Sequence, residues 1–269
     1  MRLAVIGTGK MGRAIVSGLL SRQIVPAGNI TGVSKDEDSK KSFLQLDPAG
    51  KLTWTDSISR AVEGAEVILL SVKPFQMREV LKELGGQAKQ ALFVTIAAGL
   101  RVESYESILG AGARIARAMP NTPVTLGAGV TAYAPNSACT SQDLALIEAI
   151  FGSVGYCYRV EEIQLDAITA LSGSGPAFVY RIIEALAAAG VKEGLSPEQA
   201  LPIAAQTLLG AARMIQESGA TPDVLVNQVV SKGGTTEAGL KVLESSALPE
   251  ILRATIAAAA KRSRELSES

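Results

Sequence analysis

This chain of 269 residues contains no histidine. That absence excludes Ser-His-Asp and Cys-His catalytic arrangements and any zinc site built on imidazole. It also removes the side chain that most often moves protons near neutral pH. Cysteine is nearly as scarce: Cys139 and Cys157 stand alone, with no Cys-x-x-Cys and no paired framework. The expectation is a protein of the reducing cytoplasm, with no disulfide scaffold and no metal centre. Net charge is missing too, since Lys plus Arg and Asp plus Glu both number 26. A balanced surface argues against a nucleic-acid partner and leaves self-association unopposed. No apolar run approaches the ~20 residues that span a bilayer. The first apolar segment is only a strand long, so neither a membrane partner nor a signal peptide is expected. Hydrophobic residues nonetheless reach 47%, ample for a core, and the length suits one large or two ordinary domains.

What is present begins at once. Leu3-Ala4-Val5-Ile6 is a short apolar run, followed by Gly7-Thr8-Gly9-Lys10-Met11-Gly12 and then by helical periodicity through Ile15, Val16, Leu19 and Leu20. In a Gly-x-Gly-x-x-Gly turn between strand and helix, the first glycine makes the tight turn and the second admits a pyrophosphate. The third lets the helix lie close to the strand. The helix start then offers free N–H groups and a positive dipole end to phosphate. Asn29 to Lys35 reads as a second strand and its exit. An acidic residue there would grip the ribose 2′-OH of NAD; instead the strand ends in Ser34-Lys35, a hydroxyl and an ammonium that suit a 2′-phosphate, with Asp36 and Glu37 beside them. NADP(H) is therefore the preferred cofactor, with NAD(H) also open. Glu66 to Val72 and Leu92 to Ile96 are near-continuous apolar strands, ending in Lys73-Pro74 and Ala97-Ala98-Gly99. Helical patterns between strands imply a parallel sheet. Arg114 to Arg117 runs into the loop Met119-Pro120-Asn121-Thr122-Pro123, whose spacing fits a structural turn as well as a functional one. Val130 to Tyr133 and Tyr156 to Val160 complete the strands, with a helix from Ser141 to Phe151 between them.

From Glu161 the pattern turns alanine-rich and helical, dividing the chain into residues 1–160 and 161–269. Ser172-Gly173-Ser174-Gly175-Pro176 breaks a helical stretch, which predicts a kink or a close helix contact. Ser196-Pro197-Glu198-Gln199 is a helix start. Between Ala200 and Ala212 only Gln206 and Thr207 are polar, and a helix so apolar predicts a homodimer. A further helix, begun at Thr221-Pro222-Asp223, runs to Ser231. It breaks at Lys232-Gly233-Gly234-Thr235-Thr236-Glu237, and another helix follows directly. Such a turn can hold a carboxylate, although spacing alone favours a plain helix corner.

These motifs, taken together and in order, resemble the pyrroline-5-carboxylate reductase family across essentially the whole chain. The resemblance rests on Ile6 to Gly12, Ser71 to Pro74, Ala97 to Gly99, Met119 to Pro123, Ser172 to Ala177 and Ser231 to Thr236. It implies an α/β fold: an N-terminal Rossmann dinucleotide-binding domain followed by an all-α dimerisation domain, as a homodimer and often a higher oligomer of dimers. It implies reduction of Δ1-pyrroline-5-carboxylate to L-proline with NAD(P)H. Thr236 would be the catalytic residue, its hydroxyl on the ring nitrogen. Glu162, Ser231, Gly233, Gly234, Thr235 and Thr236 would bind substrate. Ile6, Gly7, Thr8, Gly9, Lys10, Met11, Ser34, Lys35, Asp56, Ser71, Val72, Lys73, Pro74, Ile96, Ala97, Ala98 and Gln228 would bind cofactor. Relatives usually carry proline where this chain has Lys232. Related imine and β-hydroxyacid reductases rely on a lysine in the interdomain helix, and Gln164 to Gly175 contains none. A non-enzymatic NADP(H) sensor would not need the second glycine turn.

Overall fold

The computed structural model describes residues 1–267. In its first part strand and helix alternate. β1 (Leu3–Ile6) leads into α1 (Lys10–Ser21), β2 (Ile30–Val33) into α2 (Glu37–Leu44), and β3 (Thr53–Thr55) into α3 (Ile58–Val62). β4 (Val67–Leu70) leads into α4 (Pro74–Leu84), and β5 (Leu92–Thr95) into α5 (Val102–Leu109). β6 (Arg114–Pro120), β7 (Gly129–Pro135), α6 (Ser141–Gly152) and β8 (Gly155–Arg159) follow. The strands form one eight-stranded sheet in the order β3-β2-β1-β4-β5-β6-β7-β8.

The composition of the central strands follows from their place. Leu3 and Val5 enter one core cluster with Leu69 and Val94, while Ala4 and Ile6 enter another with Ile68, Leu70 and Phe93. Successive side chains of a strand point to opposite faces, so a strand covered on both faces must be apolar throughout. The expectation of a parallel sheet needs one correction. β6 and β7 pair antiparallel, with Ala118 opposite Tyr133. Between them lies only a short connection containing a 3-10 turn at Thr122–Leu126, whereas a parallel crossover needs a dozen or more residues. Met119 and Pro120 therefore end a strand rather than belong to a loop. The three-residue β3 left no pattern in the sequence long enough to read.

By its contacts the chain forms two compact units. One runs from Met1 to Ser174 and takes in the end of the chain from Ala258; the other is Gly175–Ala257. In the first, α7 (Leu165–Ile168) passes into a π turn at Thr169–Gly173. Ser174 N–H donates to the carbonyl of Thr169, five residues back, at 2.8 Å. The helix break foreseen at Ser172-Gly173 is this widened turn, a common way to kink a helix.

The second unit is helical. It contains α8 (Gly175–Lys192), α9 (Pro197–Ser218), α10 (Pro222–Val229), α11 (Thr235–Glu244) and the start of α12 (Leu248–Ser267). Ser196 N–H donates to Gln199 Oε1 at 3.1 Å, the cap expected at the start of α9. α10 ends at Val229, two residues before Ser231. Leu201, Ile203 and Leu209 of α9 are each more than half exposed within one chain.

Candidate active site

The β1–α1 turn does what its glycines require. Gly7 has a φ of +97°, open to glycine at no steric cost. A Cβ there would also meet the Ser71 carbonyl carbon at 2.8 Å. A Cβ at Gly12 would stand 2.7 Å from the Gly7 carbonyl oxygen, so α1 can approach the turn only because residue 12 has no side chain. At Gly9 a Cβ would meet nothing within 4 Å; the backbone there faces open space that a ligand can enter. No side chain caps α1, which leaves its first N–H groups available. The Ser71 hydroxyl donates to the Gly7 carbonyl and ties the turn to the end of β4.

Around this turn lies a cleft of about 320 Å3. Ten of the residues expected to bind cofactor line it: Ile6, Gly7, Thr8, Gly9, Ser34, Lys35, Asp56, Ser71, Val72 and Lys73. Lys10, Met11 and Pro74 fall outside its lining, although Lys10 and Pro74 adjoin it in sequence. Ile96, Ala97 and Ala98, beyond β5, are also outside. There Thr95 Oγ1 accepts from the Ala97 N–H at 3.3 Å and meets Tyr105 Oη at 2.8 Å. Gly99 is small for another reason: its φ is +85°, and a Cβ would lie 3.0 Å from the Leu266 carbonyl oxygen of α12.

The cleft also gathers residues that no motif marked, among them Asp36, Gln76, Glu79 and Glu83. Its lining carries two lysines, Lys35 and Lys73, against four carboxylates, Asp36, Asp56, Glu79 and Glu83. Lys35 Nζ pairs with Glu79 Oε1 at 3.1 Å. Ser34 Oγ accepts from the Trp54 indole N–H at 3.2 Å and donates to the Asp36 carbonyl at 3.3 Å. Hydrogen bonds from Ser39, including its N–H at 2.8 Å, hold the Asp36 carboxyl below the usual carboxylate range. The buried Thr8 hydroxyl has no partner within the protein among the described residues.

Glu162 turns out to brace the first unit. Its Oε1 accepts from Arg117 Nη1 at 2.5 Å and from the Val102 N–H at 2.8 Å, at the start of α5. Asn121 joins two motifs that sequence leaves far apart. Its Nδ2 donates to the Ser172 carbonyl at 3.0 Å while its Oδ1 accepts from the Val130 N–H at 2.8 Å. A Cβ on Gly173 would meet the end of Met119 at 2.7 Å. Only the packing of the π turn on β6 exposes this function of Asn121.

The second glycine turn lies in the helical unit. Gly234 is the residue before α11, and no side chain caps that helix either. Thr235 and Thr236 occupy its first turn. Gly234 N–H donates to the Ser231 carbonyl at 2.9 Å. The Gly233 N–H donates to Glu237 Oε2 at 2.5 Å, so the turn already holds a carboxylate, one of its own. Gln228 is exposed on α10 and Lys232 is exposed in the turn.

Comparison with known proteins finds relatives along the whole chain. A model described as pyrroline-5-carboxylate reductase dimerisation matches residues 162–266. One described as NADP oxidoreductase, coenzyme F420-dependent, matches residues 2–99. The pyrroline-5-carboxylate reductase of Arabidopsis thaliana is 35% identical over 269 residues, covering 100% of this chain and 96% of that protein. That of Methanosarcina acetivorans is 38% identical, covering 99% and 98%. The solved structure of the Coxiella burnetii enzyme superposes with a TM-score of 0.94 at 36% identity, over 100% of this chain and 99% of the other. A Plasmodium falciparum relative solved with NADP bound gives 0.85 at 30% identity, over 99% and 98%. With full-length relatives at this identity, the chain belongs to the pyrroline-5-carboxylate reductase family.

Proposed function

We propose that this chain reduces Δ1-pyrroline-5-carboxylate to L-proline with NADPH or NADH. The observation that carries the reading is the glycine cradle at Gly7, Gly9 and Gly12, in a chain related over its full length to reductases of that name. The residues fit a dinucleotide: an open approach at Gly9 and an uncapped helix start answer the need of a pyrophosphate for N–H donors. When bound, the nicotinamide supplies the hydride that reduces the imine carbon.

The protein supplies position and hydrogen bonds. Gly7, Thr8 and Gly9, with the N–H groups of Lys10 and Met11, would hold the phosphates. Ser34 and Lys35 would hold the adenosine ribose, and Ser71 to Lys73 line the same cleft. In the turn from Ser231 to Thr235 the substrate carboxylate would displace Glu237 from the Gly233 N–H. Thr236 gives its hydroxyl to the ring nitrogen. With no histidine in the chain and a threonine proton too weakly acidic to be surrendered, the nitrogen enters protonated, as an iminium, or draws its proton from water behind Thr236. The cofactor domain would be residues 1–160 and the dimerisation and substrate domain 161–269 of a homodimer, with Glu161 to Ser174 and the stretch from Ala258 packed into the first unit.

The test is direct. Purified protein given pyrroline-5-carboxylate should consume NADPH, and NADH as well, and release proline. No turnover with either nucleotide, with the cleft intact by nucleotide binding, would refute the assignment.

A further inference from the structure

We propose that Glu79 sets the balance between NADP(H) and NAD(H) by competing with a 2′-phosphate for Lys35. The inference rests on reading the cleft around Gly7 as the dinucleotide site. The chain has no acidic residue at the end of β2, where one would accept from a ribose 2′-OH; Ser34 and Lys35 stand there instead. The fold brings a carboxylate to the same rim from a different element. Glu79 of α4 lines the cleft and holds Lys35 Nζ at 3.1 Å. Both side chains are largely exposed, at 81% and 71%. An exposed pair of this kind is weak and exchanges partners readily.

The consequence differs for the two nucleotides. A 2′-phosphate must take Lys35 from Glu79 and then sit beside that carboxylate. A 2′-OH carries no charge to repel and finds in Glu79 the acceptor that β2 lacks. Asp36 lines the same rim, but its Oδ2 accepts from the Ser39 N–H at 2.8 Å and caps α2, which fixes that carboxylate to its own helix. One side chain thus opposes NADP(H) and suits NAD(H), against the preference that Ser34-Lys35 would set alone.

The chain's one tryptophan provides a readout that needs no turnover. Trp54 donates to Ser34 Oγ beside Lys35, so its fluorescence reports ligands at this rim. The intact protein is titrated with 2′-phospho-ADP-ribose and with ADP-ribose, and the ratio of the two affinities is compared between variants. Glu79→Gln should move the ratio toward the phosphorylated ligand by roughly three- to tenfold, most at low salt. Lys35→Met should move it the other way. In the Lys35→Met background, Glu79→Gln should have less than half its effect on the logarithm of the ratio. An unchanged ratio in Glu79→Gln, or an equal shift with and without Lys35, would overturn the proposal. A protein that binds both ligands but does not reduce pyrroline-5-carboxylate would refute the catalytic assignment and leave this inference standing. A protein that binds neither would overturn the cleft on which it depends.

Discussion

In the proposed reaction Thr236 gives its hydroxyl to the ring nitrogen, and it sits in the first turn of α11. Loss of one hydrogen bond made in the transition state costs about 1.5 kcal/mol or more. Thr236→Ala should therefore lower kcat/KM by roughly tenfold or more, while Thr236→Ser keeps most of it. Steady-state kinetics with saturating NADPH will show this, and unchanged kinetics would remove Thr236 from the mechanism. The two thiols lie at the opposite extreme. Burial, with help from the nearby Glu148 charge, pushes the Cys157 thiol up to about 12, and burial also raises Cys139. A thiol is nucleophilic only as the thiolate. At pH 8 both should react with a disulfide reagent far more slowly in the native protein than in urea, as absorbance of the released thiolate will record.

At the scale of elements, the β1–α1 turn was legible because its chemistry is local. Three glycines at fixed spacing serve three contacts within one strand, one turn and one helix. Glu162 was not legible in the same way. Its partners, Arg117 on β6 and the Val102 N–H at the start of α5, are 45 and 60 residues distant in sequence. Arg117 is buried, with a side-chain exposure of 10%. Removing its carboxylate partner leaves a charge with little water to replace it. Glu162→Ala should cost about 2 kcal/mol or more in chemical denaturation. Glu162→Gln, which can still accept from Val102, should cost less. If both variants unfold at the wild-type denaturant midpoint, the brace contributes nothing.

At the scale of the whole molecule, the helical unit leaves much apolar surface uncovered within one chain. Leu201, Ile203 and Leu209 of α9 are half exposed, and Val229 and Val242 more so. Exposed apolar area on this scale marks an interface. The chain should sediment as a dimer at micromolar concentration, and Leu209→Asp should shift it toward monomer with loss of thermal stability. A wild-type monomer at that concentration would refute the homodimer. Among the described residues no helix is long and apolar enough to cross a membrane, and no cluster of His, Cys, Asp and Glu could hold a metal.

What the amino-acid order alone decided is the part governed by near neighbours along the chain. The apolar strands, the phosphate-binding turn, the helix starts at Ser196 and Gly234 and the absence of histidine all act within a few residues, so their pattern survives in one dimension. What tertiary structure decided is whatever depends on residues that meet only after folding. The antiparallel turn from β6 to β7, the union of Asn121 with Ser172, the binding of Glu162 to Arg117 and the approach of Glu79 to Lys35 are of this kind. Each joins groups across the sheet or between its connections, and a sequence carries no local signal for which distant partner a side chain will find.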